Sequence, residues 1–294
     1  MKSEPRAPAI IGILNVTADS FSDGGRYLDP RAAVEKGLGL AAEGADIVEV
    51  GGESSNPDGA RMDAAEELAR IEPVILGLKK ERIRISVDTR KPVVMRRALA
   101  LGADMINDVT GLGDAEAVEA VRGAGVPVVV MFARNRGPRA ERASRSEETV
   151  LAEIEAFFAE RLASLESAGI AHDRIIIDPG MGFFLGGTPG PSLTVLRELE
   201  ALRRFGCPLC VSTSRKSFIG AVLNRPVGER GAGTLATEIW AWLHGAGYIR
   251  THEPGPLRDA ARMILAIRGP ECPWCGGISP LFPSPLEGEG RGGG

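Results

Sequence analysis

Histidine is scarce in this chain: three in 294 residues, His172, His244 and His252. They do not fall at the spacing of a metal-binding pair, and no Ser–His–Asp order stands out. Nucleophilic hydrolysis on a triad is therefore disfavoured. A strong net charge is missing too. Lysine and arginine number 35 against 39 acidic residues, a formal −4, which leaves no electrostatic footprint for nucleic acid. No apolar run approaches the roughly 20 residues that a membrane helix needs. The run AIIGIL near the N-terminus flows into Asn15 without a small-residue cleavage site, and reads as a strand rather than a signal peptide. A cytoplasmic protein without membrane attachment is expected. No G-x-G-x-x-G loop follows that first strand, which counts against an open, doubly wound dinucleotide sheet. Cysteines number only four, in two C-x-x-C pairs, Cys207/Cys210 and Cys272/Cys275. Spacing alone allows zinc. The first pair, however, opens a buried-strand pattern and the second lies among Gly and Pro, so both read as structural or incidental.

What is present is a regular alternation. Hydrophobic residues make up 44%, enough to bury a sizeable core. Eight short Val/Ile/Leu-rich runs are expected as strands: 9–15, 46–51, 84–88, 104–108, 127–132, 174–178, 208–213 and 247–252. Helical patterns separate them. Proline stands near helix starts (Pro30, Pro92), where its missing N–H costs little. Glycine follows helix ends (Gly44, Gly102, Gly125, Gly169). Near-continuous apolar strands fit a parallel sheet covered by helices. Eight βα units in a row argue for an α/β fold, the (β/α)8 TIM barrel, over residues 9–269 after a short tail, 1–8. Residues 270–294 are dominated by Pro and Gly, carry no period, and are expected to be a disordered extension. The basic run Arg134, Arg136, Arg139, Arg142 and Arg145 reads first as a solvated loop and helix start, and second as a mouth for an anionic substrate.

In a parallel barrel the C-terminal strand ends share one face, and that face carries the site. Here the apolar strands end in polar residues: Asn15, Glu53 just past strand two, Asp88, Asn107 with Asp108, Asp178, Ser212 with Ser214 to Lys216, and Arg250 with His252. A single one could be a helix cap, Asp88 before TRKP above all. A ring of them favours a shared ligand. Asp88, Asn107 and Asp178 supply acceptors and an amide donor, suited to a flat heterocycle rich in N–H groups. Arg215, Lys216, Arg250 and His252 supply positive charge, and Ser54, Ser55 and the backbone near Gly51 and Gly52 supply phosphate donors. One pocket would then pair heterocycle recognition with an anion clamp.

The stretches GILNVTADSFSDGG (12–25), GGESSNPDGA (51–60), SVDT (86–89), NDVTG (107–111), DPGMGF (178–183), SRKSFIG (214–220) and RTH (250–252) come in order at compatible strand ends. Together they resemble the dihydropteroate synthases over about residues 9 to 268. The resemblance implies condensation of 6-hydroxymethyl-7,8-dihydropterin pyrophosphate with p-aminobenzoate, giving 7,8-dihydropteroate and pyrophosphate, in folate biosynthesis. It implies Mg2+ as cofactor, held at Asn15 with the pyrophosphate, and a homodimer. It places Asp88, Asn107 and Asp178 on the pterin edge, and Lys216 on the pterin carbonyl beside the p-aminobenzoate site. Met131, Val109 and the Arg250 guanidinium pack on the pterin faces. Ser55, Arg250 and His252 hold pyrophosphate; Arg215, on its charge, is a further candidate for substrate binding. Phe21, Pro57, Phe183 and Ser214 shape the p-aminobenzoate end.

The chain also departs from the common pattern of that family. Ala18 replaces a proline, Ser55 and Asn56 replace threonine and arginine, Phe132 replaces a histidine, and GMGFFLGG replaces a shorter ending with a lysine. Loss of the arginine and the lysine puts the usual anion contacts in question; Arg26, Arg61 or the basic run are candidates to compensate. SSNPD, DPGMGFFL, SRKSF and RTH before EPGPLRDA are similar to the mobile, sulfonamide-resistant synthases. In that reading Phe184 narrows the space beyond the substrate carboxylate and clashes with a longer sulfonamide; in the plainer one, Phe183 and Phe184 pack their loop. Two other functions stay open at this point. A corrinoid-linked methyltransferase would share the Asp/Asn/Asp edge but not SRKSFIG, and a pterin-binding paralogue without activity would fit the departures.

Overall fold

The structure, a computed structural model, describes residues 7–17, 29–53, 62–134 and 146–268. Eight parallel strands close into a barrel in chain order, with β1 hydrogen-bonded to both β2 and β8. They are β1 (Ala9–Asn15), β2 (Ile47–Gly51), β3 (Ile85–Asp88), β4 (Met105–Asp108), β5 (Val128–Met131), β6 (Ile175–Asp178), β7 (Leu209–Val211) and β8 (Ala246–Thr251). Each lies within two residues of its expected bounds. Among the described residues the α-helices are α1 (Pro30–Ala42), α2 (Ala64–Lys80), α3 (Pro92–Ala100), α4 (Ala115–Arg122), α5 (Val150–Ser167), α6 (Gly190–Arg197), α7 (Ser217–Leu223), α8 (Gly231–Leu243) and α9 (Pro254–Arg268). None is long and apolar enough to cross a membrane. Residues 1–6 and 269–294 lie outside the described residues.

Local signals explain the boundaries. Pro30 and Pro92 open α1 and α3, and Asp29 caps α1 by accepting from the Arg31 amide at 2.9 Å. Asp63 and Glu66 form a reciprocal capping box at the start of α2. Gly44, Gly102, Gly125 and Gly169 all adopt the left-handed backbone that ends a helix cleanly. Cys207 and Cys210 are buried free thiols in the β7 region, and burial pushes the Cys207 thiol up to about 12. Such thiols are inert.

The core has three separate parts, and their arrangement places the site. Alternate strand residues such as Val48, Val87, Ile106, Val130 and Ile177 pack outward against the helices. The opposite parity supplies a second cluster inside the barrel: Ala9, Ile11, Ile47, Met105, Val129, Ile176, Cys210 and Tyr248. A third, small cluster caps one end: Val109, Met131, Ala133 and Phe184, with Phe183 half-buried against it.

Candidate active site

Strand side chains alternate with period two. Two residues beyond Ile47, Met105, Val129, Ile176 and Tyr248 therefore stand Glu49, Asn107, Met131, Asp178 and Arg250. The apolar filling of the barrel gives way to a polar layer in one step on four of these strands, with Met131 the apolar exception on β5.

Glu49 is the hub of that layer and is 1% exposed. Its Oε1 accepts from Arg250 Nε at 2.8 Å and from Arg250 Nη2. Its Oε2 accepts from Asn107 Nδ2 at 3.2 Å and Ser86 Oγ at 3.3 Å. Arg250 Nη2 also donates to Asp88 Oδ2 at 3.2 Å. Sequence reasoning looked only at strand ends and passed over Glu49. Its signal was an acid inside the apolar run IVEVG with the same parity as Asn107 and Asp178. Asp88 faces this network and does not cap α3, whose N-cap position is Lys91.

Two acceptors in the layer have no partner: Asn107 Oδ1 and Asp178 Oδ2, both buried. The other Asp178 oxygen accepts from the Gly180 amide at 2.8 Å. Because Glu49 offers only acceptors, Asn107 must spend its amide N–H there and turn its oxygen away.

Burial dominates the electrostatics. It raises the Asp88 carboxyl to about 7, helped by the neighbouring Glu49 charge and opposed by Arg250. Burial likewise raises Asp178, against the pull of Arg250. Lys216 is pushed down to about 8, by burial first and then by Arg250. His252 is lowered to about 4 by burial and by Arg215, Lys216 and Arg250. This corrects the expectation of a positive His252: near neutral pH it is an uncharged imidazole. Its Nδ1 lies 2.9 Å from Ser214 Oγ, which also accepts from the His252 amide at 3.1 Å.

A cleft of about 460 Å³ opens over the layer. Of the residues singled out from sequence, it is lined by Asn15, Asp88, Val109, Phe183, Phe184, Ser214, Arg215, Lys216, Arg250 and His252. Met131 joins through the Val109–Phe184 cluster, Asn107 through Glu49, and Asp178 lies beside Met131 in register. Phe21, Ser55 and Pro57 lie outside the described residues, as do Ala18, Arg26, Asn56 and Arg61. Arg215 pairs with Glu253 at 2.9 Å. Arg230, not foreseen, also lines the cleft and donates to the carbonyls of Arg215 at 2.9 Å and Lys216 at 3.3 Å.

The loop after β6 is shaped by its glycines. Gly180 is left-handed, with φ 71°, and a Cβ there would lie 2.3 Å from the Phe132 carbonyl oxygen. Only glycine fits that approach. The chain then makes a 3-10 turn over 182–184 and delivers Phe184 into the apolar cap, 4% exposed. The Lys216 ammonium stands 5.3 Å from the Phe184 ring centroid, a cation–π distance. Phe132 is buried and packs edge-on to Phe157 with ring centroids 5.3 Å apart. Arg134 is an internal cross-link rather than a basic mouth, and the other arginines of that run lie outside the described residues.

Residues 11–252 match the family described as pterin binding enzyme. Over 260 residues the chain is 45% identical to the dihydropteroate synthase type-2 of Escherichia coli, covering 88% of this chain and 96% of the relative. The chain belongs to the dihydropteroate synthases. A solved Xanthomonas albilineans dihydropteroate synthase with 4-aminobenzoic acid superposes on this synthase with a TM-score of 0.81, at 40% identity over 90% of this chain and 94% of that one. The same organism's synthase in complex with 7,8-dihydropteroate gives 0.79 at 38% identity, with the same coverage. That membership makes this synthase a transferase of folate biosynthesis and removes the corrinoid-linked methyltransferase as a reading.

Proposed function

We propose that the cleft condenses 6-hydroxymethyl-7,8-dihydropterin pyrophosphate with p-aminobenzoate, and that sulfonamides compete poorly for it. The observation that carries the pterin reading is the pair of buried, unpartnered acceptors, Asn107 Oδ1 and Asp178 Oδ2. Buried acceptors cost stability unless a donor meets them, and the N–H-rich edge of a pterin supplies donors. Asp88 adds a third acceptor. Arg250 and Val109 flank the ring faces with Met131, and Lys216 reaches the ring carbonyl. The product bound by one similar synthase, 7,8-dihydropteroate, has this edge.

The chemistry asked of these residues is electrostatic. The C–O bond to pyrophosphate breaks, the exocyclic carbon becomes a cation delocalised into the pterin, and the aniline nitrogen of p-aminobenzoate attacks it and then sheds a proton. Arg250 and Lys216 hold the departing charge, with Arg215 and the Ser55 segment at the rim, and His252 helps through hydrogen bonds rather than charge. Mg2+ fits one feature of the donor set. Among the described residues no three His, Cys, Asp or Glu side chains group to cage a metal, but magnesium often takes only one or two protein oxygens and completes its shell with phosphate and water. Asn15, exposed at the end of β1 and lining the cleft, offers such an oxygen. Bound there, the ion would neutralise charge on the leaving pyrophosphate. For the homodimer, support comes from the exposed apolar side chains Val222, Leu223, Val227 and Trp240 on or between α7 and α8.

The pH profile follows from two groups. The productive form has Asp88 as carboxylate, populated above about 7, and Lys216 as ammonium, populated below about 8. The plot of kcat/KM, which reports the free enzyme, should be a bell with its summit between those values. Lys216→Arg should push the alkaline limb upward and leave the acid limb in place. An alkaline limb indifferent to that change would remove Lys216 from the assignment.

Support for sulfonamide insensitivity is the position of Phe184. It both packs its loop and forms cleft wall, beside Lys216 and the Val109–Met131 cap. A rigid ring at the p-aminobenzoate end penalises a longer competitor more than the substrate. The test is dihydropteroate formation by purified enzyme with Mg2+, titrated with a sulfonamide. Turnover should persist at drug levels that stop an ordinary synthase. Phe184→Gly should lower the sulfonamide Ki by about a hundredfold, worth about 3 kcal/mol, while the folded fraction keeps its turnover. Full inhibition of the unaltered enzyme would end the resistance reading and keep the synthase. Pterin binding without turnover would favour the inactive paralogue.

A further inference from the structure

Arg134 follows the β5 end and its side chain is 2% exposed beside the partly exposed Glu153. Every N–H of its guanidinium is spent. Nε and Nη2 make a bidentate pair with the two Glu153 oxygens, 2.8 Å each. Nη2 also donates to Thr149 Oγ1 at 3.0 Å. Nη1 donates to the carbonyls of Ser146 at 2.7 Å and Leu185 at 3.3 Å. The Arg134 amide donates to the Phe184 carbonyl at 3.0 Å. One residue thus ties the start of α5 and the segment before it to two successive carbonyls, Phe184 and Leu185, on the C-terminal side of the ring. The residue before it, Ala133, belongs to the same apolar cluster as Phe184. On the other flank the Gly182 amide donates to buried Ser192 Oγ at 2.9 Å. The loop carrying Phe184 is therefore held at both ends, and Arg134 is the end that reaches the ring's own peptide.

We propose that Arg134 is a positioning residue for specificity: it fixes the Phe184 ring against the p-aminobenzoate end and so decides how well ring-extended competitors fit. The proposal rests on the reading of Phe184 as a wall against sulfonamides. A cation with all five donors engaged by the protein has none left for a substrate anion, so its effect passes through the loop. Lysine cannot replace it, because an ammonium has three donors and no planar fork.

The experiment measures KM for p-aminobenzoate, KM for the pterin substrate and Ki for one sulfonamide in the unaltered enzyme, Arg134→Lys, Phe184→Gly and the double variant. Glu153→Gln breaks the same bidentate pair from its exposed side and serves if Arg134→Lys does not fold. Arg134→Lys should lower the ratio of sulfonamide Ki to p-aminobenzoate KM by about tenfold, with the pterin KM held within about twofold. In the Phe184→Gly background it should lower that ratio no further. A merely structural role would reduce the active fraction, and with it kcat, but leave the ratio unmoved. An unmoved ratio in Arg134→Lys or Glu153→Gln, with Phe184→Gly still shifting it, overturns the positioning role and keeps the wall. No shift in Phe184→Gly overturns the wall and the proposal with it. An undiminished effect of Arg134→Lys without the ring shows that Arg134 acts by another route, which also overturns the proposal.

Discussion

Glu49→Ala should lose turnover by more than about a thousandfold and lower stability by about 3 kcal/mol, as expected for a buried ion pair deprived of one partner. The carboxylate accepts from Arg250 through two nitrogens, from Asn107 and from Ser86. Without it Arg250 keeps only Asp88, at 3.2 Å, and turns toward that residue. One change would then take Asp88 from the pterin edge, release the Asn107 amide and move the arginine that covers the ring face. Urea denaturation and steady-state kinetics check the two halves separately. An alanine variant that is unstable but turns over normally per folded molecule would make Glu49 a packing residue and nothing more.

The isosteric change is more informative about why the residue is an acid. A carboxylate offers acceptors on both oxygens, whereas an amide offers one acceptor oxygen and one donor nitrogen. In Glu49→Gln the new N–H2 must face either Arg250 or the Asn107–Ser86 side. On that side it can donate to the Ser86 hydroxyl but meets the Asn107 N–H2 donor to donor; if the Asn107 amide turns over to relieve this, the oxygen that should meet the pterin is consumed inside the barrel. Removing the Glu49 charge should also ease the Asp88 carboxyl downward, since that charge is the second cause of its elevation. The acid limb of kcat/KM should move to lower pH in Glu49→Gln while its summit falls.

Why Glu49 escaped a reading that found most of its neighbours is instructive. The barrel was legible because each βα unit carries its own punctuation: Pro30 and Pro92 at helix starts, glycines at helix ends, an apolar run for each strand. Strand ends were legible because polarity changes abruptly at Asn15, Asp88, Asp108 and Asp178. Glu49 lies two residues short of the β2 end, where a single charge between valines looks like noise until parity aligns it with Asn107 and Asp178. The neutrality of His252 was illegible for another reason. It depends on burial and on four cations, Arg215, Lys216, Arg250 and Lys36, of which Arg215 and Lys216 come near only because β7 delivers them next to β8. Arg134 looked like one of five loop arginines, because its acceptors at 146, 149, 153 and 185 are adjacent only after the loops of β5 and β6 meet.

Asp178→Ala should lower kcat/KM for the pterin substrate by about a thousandfold, or about 4 kcal/mol, with a much smaller change in KM for p-aminobenzoate. The carboxylate is 1% exposed and only one of its oxygens is engaged, by the Gly180 amide. That bond orients the group and leaves Oδ2 buried without a partner. The unaltered protein therefore bears the cost of an unsatisfied buried acceptor before substrate arrives, and a donor on the ligand recovers it. Deleting the acceptor reverses the balance: the ligand N–H is desolvated with nothing to meet it, and hydrogen bonds to charged groups are the costly ones to lose. Asp178→Asn keeps the shape and sharpens the test. If the free oxygen accepts from a ligand N–H, the amide must either present a donor to a donor or take its oxygen from Gly180, and the loss should remain within about tenfold of the alanine variant. If instead Asp178 served to stabilise the left-handed Gly180 turn alone, asparagine would cap that turn nearly as well. Turnover would then survive, and calorimetric titration with a pterin would show unchanged affinity. The separation between these outcomes is large because the two functions of the carboxylate rest on different oxygens.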